Sequence, residues 1–355
     1  MTTPYTNGWT GAHYSLFRAL FGLYLAVHFF HLLPWSVELF SRAGVLADGS
    51  LSPLLLPINP LAFCDAPWFV QGLIGSAGLA SLAFAAGFHD RPAAVWIWLV
   101  LASILGRNPL ILNPGMPYVG WLLLAHCAIP PRPLGSWDAK RLGVNTSWHM
   151  PQGLFVLAWI LLALGYSYSG LTKLASPSWA DGSALMRVFD NPLARDHTLN
   201  DLIRSLPEWT LRAMTYGVLG LEILFAPLAL SKRLRPWLWT LLVAMHLGIM
   251  VSVDFADLTI GMLIIHAFTF DPDWLGRPQL VQVELGRDHP RRRRLEALFR
   301  SEGEGDLRLV EGAGVRVQPE LGEPVAGAAA ERRLTASLGG LWRLCGQSSA
   351  APGHA

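Results

Sequence analysis

The chain has 355 residues, of which 52% are hydrophobic and only 15% charged, with a mean hydropathy of +0.37 and 27 basic against 25 acidic residues, for a net charge of +2. That balance is too apolar for an ordinary soluble domain and carries no sign of a nucleic-acid partner. Its three cysteines, Cys64, Cys127 and Cys345, stand far apart with no C-x-x-C, so neither a disulfide framework nor a structural zinc organises the chain.

A helix that crosses a bilayer needs about 20 mostly apolar residues. Candidate segments run over 12–33, 67–88, 92–110, 115–130, 152–172, 208–230, 235–252 and 256–272. The predicted fold class is therefore an all-α polytopic membrane protein, a bundle of about eight transmembrane helices. The N-terminus lacks a basic region followed by a cleavage site, so the first segment itself directs insertion. Stretch 34–66 carries Pro53, Pro57 and Pro60 and reads as chain lying along the interface. Asn108-Pro109 and Asn113-Pro-Gly115 separate the third segment from the fourth, a pattern that suits a re-entrant break or tight turn enclosed by protein. Residues 173–207 form the longest loop between segments, in which Asp181 to Phe189 predicts a short amphipathic interfacial helix ended by Asn191-Pro192.

From about residue 276 the composition changes. Arg291 to Arg294 form a basic run, and Glu, Gly, Ala and Arg follow with few aromatics until Leu341-Trp342. The organisation read from this is a membrane domain over 1–275 and a weakly ordered basic tail over 276–355. The Arg run fits either contact with anionic lipid heads or a plain topology signal. With eight spans, one side collects Arg91, Arg132, Lys140, Arg141, Lys232, Arg233, Arg235 and the tail arginines. The positive-inside bias then places both termini in the cytoplasm of a cell (inner) membrane and the 173–207 loop on the extracytoplasmic side.

Polar groups inside apolar segments are costly and carry the functional signal. Arg18 lies in the first segment and Glu222 in the sixth; with opposite signs, pairing across the bundle to fix its packing is the natural expectation. His28, His31, His126, His246 and His266 lie within or at the ends of segments, and His89 borders one. His28 and His31 share a face at i, i+3, but no Glu-x-x-His pair, H-E-x-x-H or Cys partner accompanies them, so no metal site is expected. His246 stands mid-segment, followed by Asp254 and Asp257. Lysine is scarce: only Lys140, Lys173 and Lys232 occur. Lys173 ends the fifth segment just before Pro177-Ser-Trp179. A lysine against hydrocarbon is either a snorkelling interfacial group or, when desolvated, a proton acceptor. Tyr166, Ser169 or Gly170, and Lys173 fall on one helical stripe, which suits a polar-tipped pocket or a tight helix contact at Gly170.

Taken in order, Phe17-Arg-Ala-Leu-Phe-Gly22, Gly170-Leu-Thr-Lys-Leu174, Trp179, Gly182, Leu221-Glu-Ile-Leu224, the His246 segment, Ile260-Gly-Met262 and Asp271-Pro272 resemble the horizontally transferred transmembrane (HTTM) domain family, which includes the vitamin K-dependent gamma-carboxylase of animals. The resemblance spans roughly 13–275. It implies that Lys173 is the base that deprotonates a reduced quinone of the vitamin K type, whose oxygenation drives proton removal from a glutamate and addition of carbon dioxide. It also implies roles for Tyr166 and Trp179 in shaping the quinone pocket and for His246 in orienting or shuttling a proton. Two departures accompany it. Met116 falls at or near the place of a family histidine, before Tyr118-Val-Gly120, and the large lumenal domain of the animal enzyme has no counterpart beyond the short tail.

Three functions follow as alternatives. One is a carboxylase-like, quinol-dependent membrane enzyme that modifies a secreted peptide at the extracytoplasmic face. Another is a non-catalytic membrane factor that binds a lipid or quinone, or assists maturation or export of a secreted peptide. The third is a small-solute transporter, which predicts paired broken helices in matching halves; only one such break is visible. Membrane lipids are partners in all three.

Overall fold

Thr10 opens the first helix: its Oγ accepts from the His13 amide at 3.4 Å. The computed structural model describes residues 7–49, 52, 59–145, 147–275, 280–302, 306–319 and 324–337. Helix α1 (Gly11–Leu32) continues through a 3-10 turn at Leu33–Trp35 into α2 (Ser36–Phe40). The single turn α3 (Pro60–Phe63) is capped by Asn59, whose Oδ1 accepts from the Leu61 amide at 2.9 Å. Pro53 and Pro57 lie outside the described residues.

Helix α4 (Pro67–Ala86) starts on proline and stops at Gly87, which takes φ 72°, the left-handed conformation that closes a helix cheaply only in glycine. Then come α5 (Asp90–Arg107), α6 (Met116–His126), α7 (Trp137–Leu142) and α8 (Gln152–Lys173). The break between α5 and α6 is built from two asparagine turns. Asn108 Oδ1 accepts from the Leu110 amide at 3.1 Å, and Asn113 Oδ1 accepts from the Gly115 amide at 2.9 Å. Loop 174–207 holds three short helices, α9 (Pro177–Ala180), α10 (Ala184–Phe189) and α11 (Thr198–Arg204), where one was predicted. The bundle closes with α12 (Glu208–Ala229), α13 (Arg235–Ser252) and α14 (Ala256–Thr269).

Each of the eight apolar segments coincides with a helix, but an eight-span bundle is not what the helices show. Among the described residues, four stretches are long and apolar enough to cross a membrane: Gly11–Phe40, Pro67–Ala86, Gln152–Lys173 and Glu208–Ala229. With 11 and 14 residues, α6 and α14 rise only roughly 17 and 21 Å against the about 30 Å of a hydrocarbon core. Asp90, Arg91 and Arg107 charge both ends of α5, while α13 opens on Arg235-Pro236 and holds His246.

The helices pack as α1 along α4 and α8 along α12, with α5 beside α4, α6 beside α5, and α14 joining α13, α6 and α8. Glycines set the closest approaches, as expected where lipid gives helices no hydrophobic drive to associate. A Cβ on Gly22 would stand 2.7 Å from Ala85 Cα, and one on Gly170 would stand 2.7 Å from the Ile223 amide nitrogen. Phe21, Phe29, Phe84, Phe155, Phe225 and Phe268 fill the interior.

The tail corrects the sequence reading. Within 280–337 the described residues form a small sheet and two helices rather than a poorly ordered tail, and the fold is not all-α. Strand β1 (Leu280–Gly286) is followed by α15 (Arg292–Glu302), β2 (Asp306–Val310), β3 (Val315–Pro319), β4 (Val325–Ala326) and α16 (Gly327–Ser337). The sheet order is β2-β1-β3-β4, with β2 parallel to β1 and β3 antiparallel to it. Val283, Leu285, Val315 and Val317 bury against Leu295 and Phe299 of α15 and Ala330 and Leu334 of α16, and Leu134 from the α6–α7 loop packs onto this cluster. Charge-rich composition concealed a small amphipathic core that a sheet and two helices suffice to close. Leu341, Trp342 and Cys345 lie outside the described residues.

Candidate functional site

Lys173 sits in the last turn of α8 and faces α12, not open solvent; its side chain is 24% exposed. Its Nζ donates to Glu222 Oε2 in a short ion pair and to Ser169 Oγ at 3.2 Å, and lies 4.8 Å from the centre of the Trp179 ring. Gly170, one turn below Lys173, lets α12 come close enough for this pairing, and the Glu222 carboxylate is almost fully buried. Lys173, Glu222, Ser169 and Trp179 thus meet at one place. The expectation of a lone, uncharged amine gives way to an amine held against a carboxylate.

The turn after Lys173 is tied down from α12. Tyr216 Oη donates to the Ala180 carbonyl at 3.1 Å, and Arg212 Nη1 donates to the Asp181 carbonyl at 2.6 Å. Gly182 takes φ 80° with the Tyr216 ring against it, which excludes a side chain there. The Ser183 hydroxyl and amide hold the exposed Asp181 carboxyl below the usual carboxylate range. Trp179 is thereby fixed over the amine.

Deeper in the bundle, Tyr166, on the same stripe as Gly170 and Lys173, bridges two histidines. Its Oη is 2.6 Å from His246 Nε2 and 2.7 Å from His266 Nε2. All three side chains are buried, and the Nδ1 of each histidine has no hydrogen-bond partner among the described residues. His266 was visible in the sequence only as one more membrane histidine; nothing local distinguished it.

Arg18 and Glu222 do not pair with each other. Arg18 Nη1 donates to Asp90 Oδ2 at 3.5 Å, and Asp90 Oδ1 faces His126 Nε2 at 3.5 Å, while His126 Nδ1 makes a short contact with Tyr14 Oη. The reason is distance along the bundle. Helix α8 begins beside the residues that lead into α1, where Asn7 Nδ2 donates to Gln152 Oε1 at 2.9 Å. Lys173 is a whole helix away, roughly 30 Å at 1.5 Å per residue. Arg18 and Glu222 belong to opposite ends.

His28 does not join His31. Its Nδ1 bonds Asp257 Oδ1 at 2.9 Å, Tyr24 Oη donates to the same oxygen at 3.0 Å, and Asn113 Nδ2 donates to Oδ2 at 3.0 Å. This cluster ties the α5–α6 break to α1 and α14. Met116 is buried at the start of α6 and brings a thioether rather than an ionisable group.

No family model, curated protein or solved structure matches the chain. The chemistry of the site therefore rests on its own geometry.

Proposed function

We propose that this chain is a multispanning protein of the cell membrane, with cytoplasmic termini, that takes a proton from a lipophilic reduced quinone at its extracytoplasmic face in order to modify a secreted peptide. The observation that supports this reading is the Lys173–Glu222 pair under Trp179. The basic loop residues Lys140, Arg141, Lys232 and Arg233 lie toward the opposite end of the helices, in keeping with that orientation.

The residues present fit such a cofactor. Trp179 offers a ring face, the ion pair offers both a donor and an acceptor, and exposed Leu171, Leu174 and Tyr168 give the site an apolar approach from the bilayer. When bound, a reduced quinone supplies a hydroxyl proton and reducing electrons. Glu222 would accept the proton, and the Lys173 ammonium would stay in place to balance the negative charge. One ion pair is exchanged for another, so no net charge is created in a poorly solvated place where an isolated charge would be expensive. Addition of carbon dioxide to a peptide glutamate extends this reading through the HTTM resemblance.

The test is oxidation of an added reduced quinone by the full-length protein in aerated lipid nanodiscs, with dissolved dioxygen as the electron acceptor. Wild type consumes it, and Glu222→Gln loses activity by at least about 100-fold, the usual weight of a positioned base. Lys173→Ala loses activity too, because the product oxygen is left without its counter-charge. Wild type that binds the reduced quinone without consuming it overturns the enzyme reading. That outcome favours the second reading, a non-catalytic factor in which the same pair clamps α8 to α12, a role the close contact at Gly170 also fits.

A further inference from the structure

A tyrosine hydroxyl carries one proton, so between two imidazole Nε2 atoms it donates to one and accepts from the other. Tyr166 is in that position, at 2.6 Å from His246 and 2.7 Å from His266. The two histidines are therefore held in opposite tautomers. The ring that accepts from Tyr166 carries its proton on Nδ1; the ring that donates to Tyr166 leaves Nδ1 with a lone pair. Both Nδ1 atoms are buried and unpartnered among the described residues. A purely structural cluster gains nothing from this arrangement: leaving a buried N–H unsatisfied is costly, and apolar side chains of similar shape avoid that cost. The two orphan nitrogens do have a use as the ends of a wire.

We infer that Tyr166, His246 and His266 form a one-proton relay that carries away the proton collected at the Lys173–Glu222 pair. The inference rests on the function proposed above. His246 is the receiving end, since it stands six residues from the end of α13, where the Arg195 amide of the loop after Lys173 bonds the Ser252 carbonyl, whereas His266 stands ten residues along α14 from that side and is the releasing end. A proton arriving at His246 Nδ1 sends the His246 Nε2 proton to the Tyr166 oxygen. The Tyr166 proton moves to His266 Nε2, and His266 Nδ1 releases its own. One proton enters and one leaves. No charge stays on any ring, and the cluster ends in the mirror-image tautomer pair. Rotation of the two rings or a passage in the reverse sense resets it. The three residues come from α8, α13 and α14, so the wire exists only when these helices are packed together. His266 becomes a positioning and proton-carrying residue that the sequence motifs did not single out.

Two measurements test this. Nitrogen NMR of full-length protein with labelled histidine, in lipid nanodiscs, is expected to show one of His246 and His266 protonated on Nε2 and the other on Nδ1, assigned with His246→Gln and His266→Gln. In Tyr166→Phe the two rings no longer take opposite tautomers. If both wild-type rings hold the same tautomer, the relay is excluded, whatever the activity. In turnover, Tyr166→Phe is expected to slow reduced-quinone oxidation by about tenfold or more, and to change a curved dependence on solvent deuterium fraction into a linear one, since fewer protons are then in flight. A Tyr166→Phe protein with undiminished rate and an unaltered deuterium dependence overturns the relay and leaves the Glu222 step intact. Loss of turnover in Glu222→Gln with the paired tautomers preserved shows that the two sites are separate parts of one path.

Discussion

Ser167 on α8 repairs the gap that Pro227 makes in α12. Proline has no amide proton to give to the Ile223 carbonyl, and its ring forces the preceding turn open. The Ser167 hydroxyl donates to that carbonyl at 3.0 Å and accepts from the Ala226 amide at 2.9 Å, so both stranded backbone groups are satisfied from the neighbouring helix. Glu222 and Ile223, which frame the lysine site, belong to this same turn.

Ser167→Ala is therefore expected to destabilise the protein by about 1–3 kcal/mol, the cost of leaving buried backbone groups unpaired. Thermal unfolding in detergent measures it. Pro227→Ala restores the ladder of α12, so the double variant recovers much of the loss; simple addition of the two effects would show that the two residues are not coupled.

Gly170→Val is expected to cost about 1–3 kcal/mol, because its Cβ would stand 2.7 Å from the Ile223 nitrogen and backbone cannot yield as a flexible side chain does. The same change separates Lys173 from Glu222, so crosslinking or distance measurements between α8 and α12 lengthen with it. Gly217 on α12 is the control: nothing lies within 4 Å of its Cβ direction, and Gly217→Ala is expected to be neutral or to stabilise by about 0.5–1 kcal/mol.

Arg18→Ala leaves Asp90 and His126 facing an uncompensated cavity. Removing one partner of a buried ion pair costs about 3–5 kcal/mol. The unfolding midpoint should fall accordingly, and Arg18→Ala with Asp90→Ala together should be less damaging than the sum of the two single changes. Strict additivity would mean that the 3.5 Å contact contributes nothing to stability.

The tail sheet predicts an outcome that a disordered tail would not. Val283→Asp places a carboxylate in the centre of its core and should open the 280–337 region to trypsin at Arg291 to Arg294 while the helical bundle survives. Leu134→Glu should loosen the sheet from the α6–α7 loop without unfolding it. A wild-type tail cut as fast as the Val283→Asp tail would contradict the packed sheet.

Much of this was legible because the governing signals are local. Apolar runs located the eight apolar helices though not how many of them span, asparagine and glycine beside proline located the α5–α6 break, and the spacing of Tyr166, Gly170 and Lys173 placed them on one stripe of α8. Composition misled for the tail, where the alternation in Leu280-Val-Gln-Val-Glu-Leu285 and Val315-Arg-Val-Gln318 was too short to outweigh a charged background.

What residues along the chain settled by themselves was where helices form and which polar groups they carry into an apolar environment, since hydropathy and backbone preference act over a few turns. Which of those groups meet was settled only in three dimensions. Arg18 found Asp90 rather than Glu222, Glu222 found Lys173, and Tyr166 came to lie between His246 and His266, because such pairings depend on where each helix begins and which face its glycines bring against a neighbour. Partner choice among residues 49 to 100 positions apart is a property of helix packing, and nothing in local sequence encodes it.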